Sequence, residues 1–254
     1  MEWWDSIAFE YKSKVLSPLY PGVKNPIFKL VEGLNSKDYE RVADLGCGRG
    51  EFLGFLSQRF KEVWGIDWSK NMLHVARKMH KGNKNVYLKR LDIRNLESLY
   101  GYFDLAFSIN TITPYDISVA EEMVEEIFKA LRAGGLFVSI FPSFDTVLYQ
   151  RGLTYTSYIE CGLSPEEAWQ RTEDYFVRQR RLDLEKGAYT SEDGTHIQKF
   201  FTENEIHSLL QNAGFREIVT EKVLYPWELS KKYGYGYFPN KPEIWDWFAS
   251  ARRP

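Results

Sequence analysis

The sequence predicts an α/β fold, a doubly wound and mostly parallel sheet with helices on both faces. Three observations predict it. Strand-like and helix-like segments alternate through residues 41–141, which is the order that right-handed crossovers between parallel strands require. The run Phe103–Asn110 is almost continuously apolar, as a strand covered on both faces should be. A glycine-rich stretch, Asp44-Leu45-Gly46-Cys47-Gly48-Arg49-Gly50, falls between the first strand and the first helix of the alternation. In a doubly wound sheet that junction is where nucleotides bind.

The elements follow in order. Residues 1–35 are aromatic and broken by Pro18, Pro21 and Pro26, and read as short helices capping the sheet. Within a core spanning 36–141, Arg41–Leu45 is the first strand. Glu51–Phe60 has helical apolar spacing at Phe52, Leu53, Phe55, Leu56 and Phe60. Glu62–Asp67 is the second strand, and Ser69 can cap a helix with apolar positions at Met72, Leu73, Val75, Ala76 and Met79. Asn85–Leu91 is the third strand and Phe103–Asn110 the fourth. Val119–Leu131 is a helix stopped by Ala133-Gly134-Gly135, and Leu136–Phe141 is a fifth strand ended by Pro142. Residues 142–199 break the pattern. They are polar, helical over Pro165–Arg181, and turn at Gly187 and Gly194, so they read as an inserted α-rich lid that sets substrate choice. The core resumes over 200–254. Thr202 and Glu205 have capping-box spacing for a helix Glu203–Asn212, and Arg216–Leu224 is a strand. Tyr233–Phe238 reads as an aromatic tail and Arg252-Arg253 as a solvated end.

Composition narrows the function classes. The chain has 254 residues, 44% apolar and 27% charged, with a net charge of -2. That suits a packed core and gives no bulk attraction to nucleic acid or an anionic membrane. Two cysteines, Cys47 and Cys161, cannot build a disulfide framework or an all-cysteine zinc site, so a reducing, cytoplasmic setting is expected and no metal is. No apolar run approaches a membrane span, and the start, Met1-Glu2-Trp3-Trp4-Asp5, lacks a signal-peptide pattern.

Three features at the carboxyl ends of the first three strands carry the chemistry. Gly46, Gly48 and Gly50 let backbone and ligand approach closely. A dinucleotide fingerprint starting at Gly46 would need glycine at position 51, but Glu51 stands there and would repel a pyrophosphate. The acid that opens the loop, Asp44, suits a ligand with a positively charged amino-acid end. Asp67 ends the second strand, where an acid can accept hydrogen bonds from both ribose hydroxyls. Asp92-Ile93 lies just past the third strand and can read an adenine edge, the carboxylate taking the exocyclic amine and the backbone a ring nitrogen.

This ordered set resembles the class I, Rossmann-like S-adenosylmethionine-dependent methyltransferases. The resemblance runs through Val42–Gly50, Gly65-Ile66-Asp67-Trp68-Ser69 with Met72-Leu73, Leu91-Asp92-Ile93, Phe103–Asn110, Leu131–Leu136, and Phe201-Thr202-Glu203 through Ala213-Gly214-Phe215. It covers roughly 40–141 and 199–224. It implies a seven-stranded sheet whose last strand runs antiparallel, and S-adenosylmethionine as cofactor with S-adenosylhomocysteine as product. It also implies roles. Asp44 and the Gly46 backbone hold the methionine amino group, with Cys47, Gly48 and Gly50 completing the loop. Asp67 binds the ribose, Trp68 and Met72 flank the adenine, Asp92 and the Ile93 backbone bind its edge, and Asn110 meets the methionine moiety by backbone. Tyr11 resembles the tyrosine that closes over the cofactor in small-molecule enzymes of the family.

Simpler readings stand beside these. Cys47 is a small filler rather than a nucleophile, having no base partner. Cys161 is buried or incidental. His74 and His80 read as surface residues and His207 as facing solvent. His196 is the best histidine for a base, lying where the insertion returns to the core, although a structural role suits it as well. Six of the eight tryptophans (Trp3, Trp4, Trp169, Trp227, Trp245 and Trp247) lie outside 36–141. They either hold the caps together or line an aromatic pocket for the acceptor.

The expected reaction is in-line methyl transfer to a small-molecule acceptor, with a general base needed only for a hydroxyl or carbon nucleophile. Two alternatives are a methyltransferase acting on RNA or protein, and a non-catalytic binding module. Against the first, Ser108-Ile109-Asn110-Thr111-Ile112-Thr113-Pro114 is not the Asn/Asp-Pro-Pro-Tyr/Phe signature of base-amine methylation, and no basic block is evident. Against the second stand intact Asp44, Asp67 and Asp92. NAD is disfavoured by Glu51.

Overall fold

The computed structural model describes residues 2–11 and 15–254; Met1 and residues 12–14 of the expected N-terminal cap lie outside them. In chain order the elements are α1 (Glu2–Ile7), α2 (Pro26–Gly33), β1 (Arg41–Leu45), α3 (Leu53–Ser57), β2 (Glu62–Asp67), α4 (Lys70–Met79), β3 (Val86–Arg90), β4 (Phe103–Ile109), α5 (Ile117–Ala130) and β5 (Leu131–Phe141). The insertion adds α6 (Phe144–Glu160), α7 (Pro165–Glu173), β6 (Leu182–Asp183), β7 (Ala188–Thr190) and β8 (Ile197–Lys199). The chain closes with α8 (Glu203–Asn212), β9 (Arg216–Tyr225), α9 (Trp227–Lys232) and β10 (Ile244–Arg252).

Seven strands form one sheet in the order β3-β2-β1-β4-β5-β10-β9. β1 to β5 pair in parallel, and β10 runs antiparallel to both β5 and β9. The order reverses direction between β1 and β4, the crevice where such sheets bind ligands. Strand alternation feeds two cores. Ala43, Leu45, Ala106 and Phe137 face α5 and α8 on one side. Val42, Leu105, Phe107 and Val138 face α2 and α3 on the other. All eight are essentially solvent-free, so β1, β4 and β5 are apolar on both faces because both faces are covered.

The caps depart from expectation in informative ways. α6 is a 17-residue helix that periodicity does not announce, because its Tyr, Thr and Ser residues show no apolar stripe. Its start is fixed by a cap, Ser143 Oγ accepting from the Thr146 amide at 3.0 Å. The insertion closes at its neck: Phe201 N donates to Pro142 O, and Phe144 N to Phe201 O, each at 2.8 Å. β6, β7 and β8 form a small antiparallel sheet, and the Lys199 amide donates to Thr113 O at 3.0 Å, tying it to the loop after β4. β10, for which the sequence predicts no bounds, is an interior strand between β5 and β9. Arg253 is not a solvated end, since its guanidinium donates to the Phe128, Lys129 and Leu131 carbonyls and so caps α5. Cys161 is exposed. No helix among the described residues is long and apolar enough to cross a membrane.

Candidate active site

The floor of the crevice is the loop after β1. Gly46 and Cys47 both donate their amides to Ile66 O, at 2.7 and 3.0 Å, which locks the loop against the end of β2. Gly46 has φ +79°, and a Cβ there would lie 2.1 Å from Thr111 Cγ2. The glycine is therefore demanded by the side chain that follows β4 as well as by the backbone. Gly48 also has a positive φ, but only Met72 Sδ lies within 4.0 Å of where its Cβ would be. Its open face belongs to the cavity. The helix expected over Glu51–Phe60 is regular only as α3, five residues long. The Gly48 amide, which could have pointed at a ligand, is taken by Asp67 Oδ2 at 2.8 Å. Asp67 Oδ1 accepts the Ser69 amide at 2.7 Å.

A cavity of about 330 Å³ opens above this floor, within the usual range for small-molecule sites. Of the residues singled out from sequence, Gly46, Gly48, Asp67, Trp68, Met72, Asp92, Ile93 and Asn110 line it, as do Tyr11 and His196. Asp44, Cys47 and Gly50 do not. Cys47 is buried, and burial pushes its thiol well above the usual range, so it is inert filler. Gly50 is spanned by His80, whose Nε2 donates to the Gly50 carbonyl at 2.7 Å; His80 is a loop clamp rather than the surface residue expected. His74 is exposed. His207 is half-buried against Thr220 Oγ1 at 3.3 Å instead of facing solvent.

The electrostatics of the floor suit a cation. Asp44 is 2% exposed, its Oδ1 has no hydrogen-bond partner, and no Lys or Arg pairs with it among the described residues. Burial first, and the nearby Asp67 second, push its carboxyl up to about 7. Burial likewise pushes Asp67 up, against the two amides that hold it. Two recessed acids with an orphaned oxygen fit the ammonium and hydroxyl groups of an aminoacyl nucleoside, and would be penalised by a pyrophosphate.

The walls come from the caps. Asp5 of α1 accepts Ser69 Oγ at 2.5 Å and the Asn71 amide at 3.0 Å, fastening the N-terminal helix to the start of α4. Trp4 lines the cavity. Trp3 stacks on His196 with ring centroids 4.5 Å apart, and Trp4 meets the same imidazole edge-on at 5.3 Å. His196 is 8% exposed, with Nε2 unpartnered, and burial lowers its pKa, so the ring is neutral. Burial also raises the Tyr11 hydroxyl, which keeps it a proton donor. At the far wall Arg94 grips Asp92 through two nitrogens, Nη2 to Oδ2 at 2.6 Å, and Arg94 holds that carboxyl below its usual range.

A second cavity of about 350 Å³ adjoins the first and shares Trp4, Tyr11, Asn110 and His196 with it. Its remaining wall comes from the insertion, β9, β10 and the Tyr233–Tyr235 segment. Sequence reasoning missed three residues here. Thr111 gave no signal. Arg94 followed too closely on a predicted site to be seen as its partner. Asp246 was legible in principle, as the lone acid in the apolar run Ile244-Trp-Asp-Trp-Phe-Ala249.

A seven-stranded sheet in this order, with its crevice at the β1/β4 reversal, is the fold of Rossmann-like methyltransferases. The profile of a methyltransferase domain matches residues 42–135. YqeM of Bacillus subtilis is 26% identical over 191 residues, covering 69% of this chain and 73% of that one. A demethylmenaquinone methyltransferase of Staphylococcus saprophyticus is 26% identical over 124 residues, so this chain spans about half (51%) of its length. A solved S-adenosylmethionine-dependent methyltransferase from Methanosarcina mazei shares the fold at TM-score 0.62 and 18% identity, covering 90% of this chain and 97% of that one. Residues 42–135 thus carry a methyltransferase domain, and the chain has the fold of S-adenosylmethionine-dependent methyltransferases.

Proposed function

We propose that the chain transfers a methyl group from S-adenosylmethionine to a small-molecule acceptor, the donor in the first cavity and the acceptor in the second. The shared wall carries this reading: among the described residues, two cavities of similar size share Trp4, Tyr11, Asn110 and His196, and both caps close over the junction. A polymer would need an open groove, whereas this second chamber is roofed by the insertion.

The sulfonium supplies an already activated methyl group. The chain's own residues have to bind, orient and keep water out. Asp44 and the Gly46 backbone would take the amino-acid end. Asp67 would take the ribose, with Gly48 open beneath it. Trp68 and Met72 would flank the adenine, with Asp92 and the Ile93 backbone at its edge; Arg94, 38% exposed at its side chain, can swing clear of Asp92. Arg90 lies over the Trp68 ring, 4.9 Å from its centroid, and steadies that wall. Asn110 sits where donor and acceptor meet, Tyr11 can donate a hydrogen bond there, and neutral His196 can accept one. Positioning of this sort contributes roughly 7–11 kcal/mol.

Calorimetric titration with S-adenosylmethionine and with NAD tests the donor: binding of the first and not the second is expected. Methyl-labelled donor incubated with cell extract, then fractionated, tests the acceptor. Label in the small-molecule fraction is expected; label in RNA or protein overturns the acceptor reading and leaves the donor reading intact.

A further inference from the structure

The second cavity holds a carboxylate that the cofactor site does not use. Asp246 lies in β10, an otherwise apolar strand through Ala249. It accepts Tyr225 Oη at 2.5 Å and Asn110 Nδ2 at 3.3 Å through Oδ2, and the Ser143 amide at 3.3 Å through Oδ1. All three partners are donors, which favours the ionised form, while burial outweighs them and raises the carboxyl's pKa, as befits a group that is to take up a proton. No Lys or Arg pairs with it among the described residues, and Oδ1 holds only one long hydrogen bond. Through Asn110 it is one side chain away from the donor cavity.

The same cavity contains a cation without a carboxylate partner among the described residues. Arg180 donates from Nη1 to Gln150 Oε1 at 3.2 Å and lies 5.1 Å from the centroid of the Tyr235 ring. Tyr235 stands within the field of both groups: Arg180 pulls its hydroxyl down and Asp246 pushes it up, on top of the rise that burial causes. Tyr189, Tyr225, Tyr235 and Trp245 supply flat apolar surface around them. An isolated acid and an isolated base at one aromatic-walled chamber are costly for the empty protein and repay that cost only when a ligand pairs with each.

Building on the two-cavity reading, we propose that Asp246 and Arg180 define the acceptor: a planar aromatic molecule with a hydroxyl or amino nucleophile directed to Asp246 and a carboxylate directed to Arg180. As the acceptor's lone pair forms the new bond to carbon, the carbon–sulfur bond breaks with its electrons left on sulfur. The nucleophile's proton passes to Asp246, which leaves a neutral methylated group and a neutral acid that later loses its proton to solvent. Asn110 and Tyr225 are positioning residues that hold the carboxylate toward the donor cavity.

The test is calorimetry on the full chain saturated with S-adenosylhomocysteine, titrated with 3- and 4-hydroxybenzoate and 3- and 4-aminobenzoate. The matching methoxybenzoates lack the proton, and phenol and aniline lack the anion. At least one hydroxy- or aminobenzoate should bind ten times or more tighter than its methoxy and uncharged counterparts. Asp246→Asn should erase the hydroxy-over-methoxy preference, and Arg180→Gln the preference over phenol, with S-adenosylhomocysteine affinity unchanged and the ligand-free thermal midpoint not lowered in either. No binding by any of the four, equal binding by the controls, or a preference that survives Asp246→Asn overturns the proposal. The wild-type series decides it even if a variant fails to fold. Failure of S-adenosylhomocysteine itself to bind would instead overturn the two-cavity reading beneath it.

Discussion

The Asp67 carboxylate accepts the Gly48 amide at 2.8 Å, so a side chain at the end of β2 fixes the conformation of the loop that ends β1. The residue assigned to the ribose therefore also builds the loop assigned to the amino-acid end. Asp67→Ala should weaken S-adenosylmethionine binding by more than about tenfold, on the order of 1.4 kcal/mol, and should also loosen the loop. Asp67→Asn keeps one acceptor oxygen and should preserve loop protection in hydrogen exchange better than it preserves affinity. Equal losses of both in the two variants would mean that the carboxylate only builds the loop.

Gly46 and Thr111 form the tightest fit in the floor. Gly46→Ala places a methyl against the Thr111 side chain at a positive φ. The combined clash and strain should cost roughly 2–5 kcal/mol in chemical denaturation. Adding Thr111→Gly removes the clash and leaves the strain, so the double variant should recover part of the loss. Additive losses would show that the two residues do not compete for the same space.

Asp44 gives a stability effect with an unusual sign. Its folded carboxyl titrates at about 7, against 3.8 when unfolded. Between those values the folded chain holds the extra proton, so stability falls as pH rises through the window. At pH 8 the penalty on the ligand-free protein is at most about 4 kcal/mol. Asp44→Asn should leave the ligand-free protein as stable as wild type near pH 4 and more stable at pH 8, while binding S-adenosylmethionine at least about tenfold more weakly. Wild-type affinity should rise from pH 6 to pH 8 as the carboxyl ionises. An affinity independent of pH over that range would remove Asp44 from the site.

How much of this was legible follows from range. β1 to β5 and the acids at their ends could be read, because periodicity and glycine spacing are local properties. The glycine loop after β1 stood out for the same reason. α6 was missed because its burial is set by contact with α7 and β10 and not by an apolar stripe of its own. β10 was given no bounds because its tryptophans look like cap aromatics until β5 and β9 are known to lie on either side. Asp246 and Arg180 are far apart in sequence and meet at one cavity only through the insertion. No local pattern could join them.

His196 carries the opposite pH sign. Burial lowers its folded pKa beneath the 6.5 of the unfolded chain, so its contribution is complete above 6.5 and is lost as pH falls below it. The loss should be felt where the ring stacks, at Trp3 of α1. Amide exchange in Trp3–Ile7, corrected for intrinsic rate, should speed up at pH 5 relative to pH 7.5. His196→Phe keeps a ring for the stack and should abolish that difference. A difference that persists would place the acid sensitivity elsewhere.

The pairing of β5 with β10 also sets a timetable for the newborn chain. Ser143 and Asp246, at the mouth of that pairing, lie 103 residues apart. At roughly 5–20 residues per second, a ribosome needs on the order of 5–20 s to deliver the covering strand. Over that interval Val138, Ile140 and Phe141, all buried in the finished sheet, sit on an open strand edge. Until β10 arrives, that edge is open to a chaperone or to the same edge of a neighbouring nascent chain.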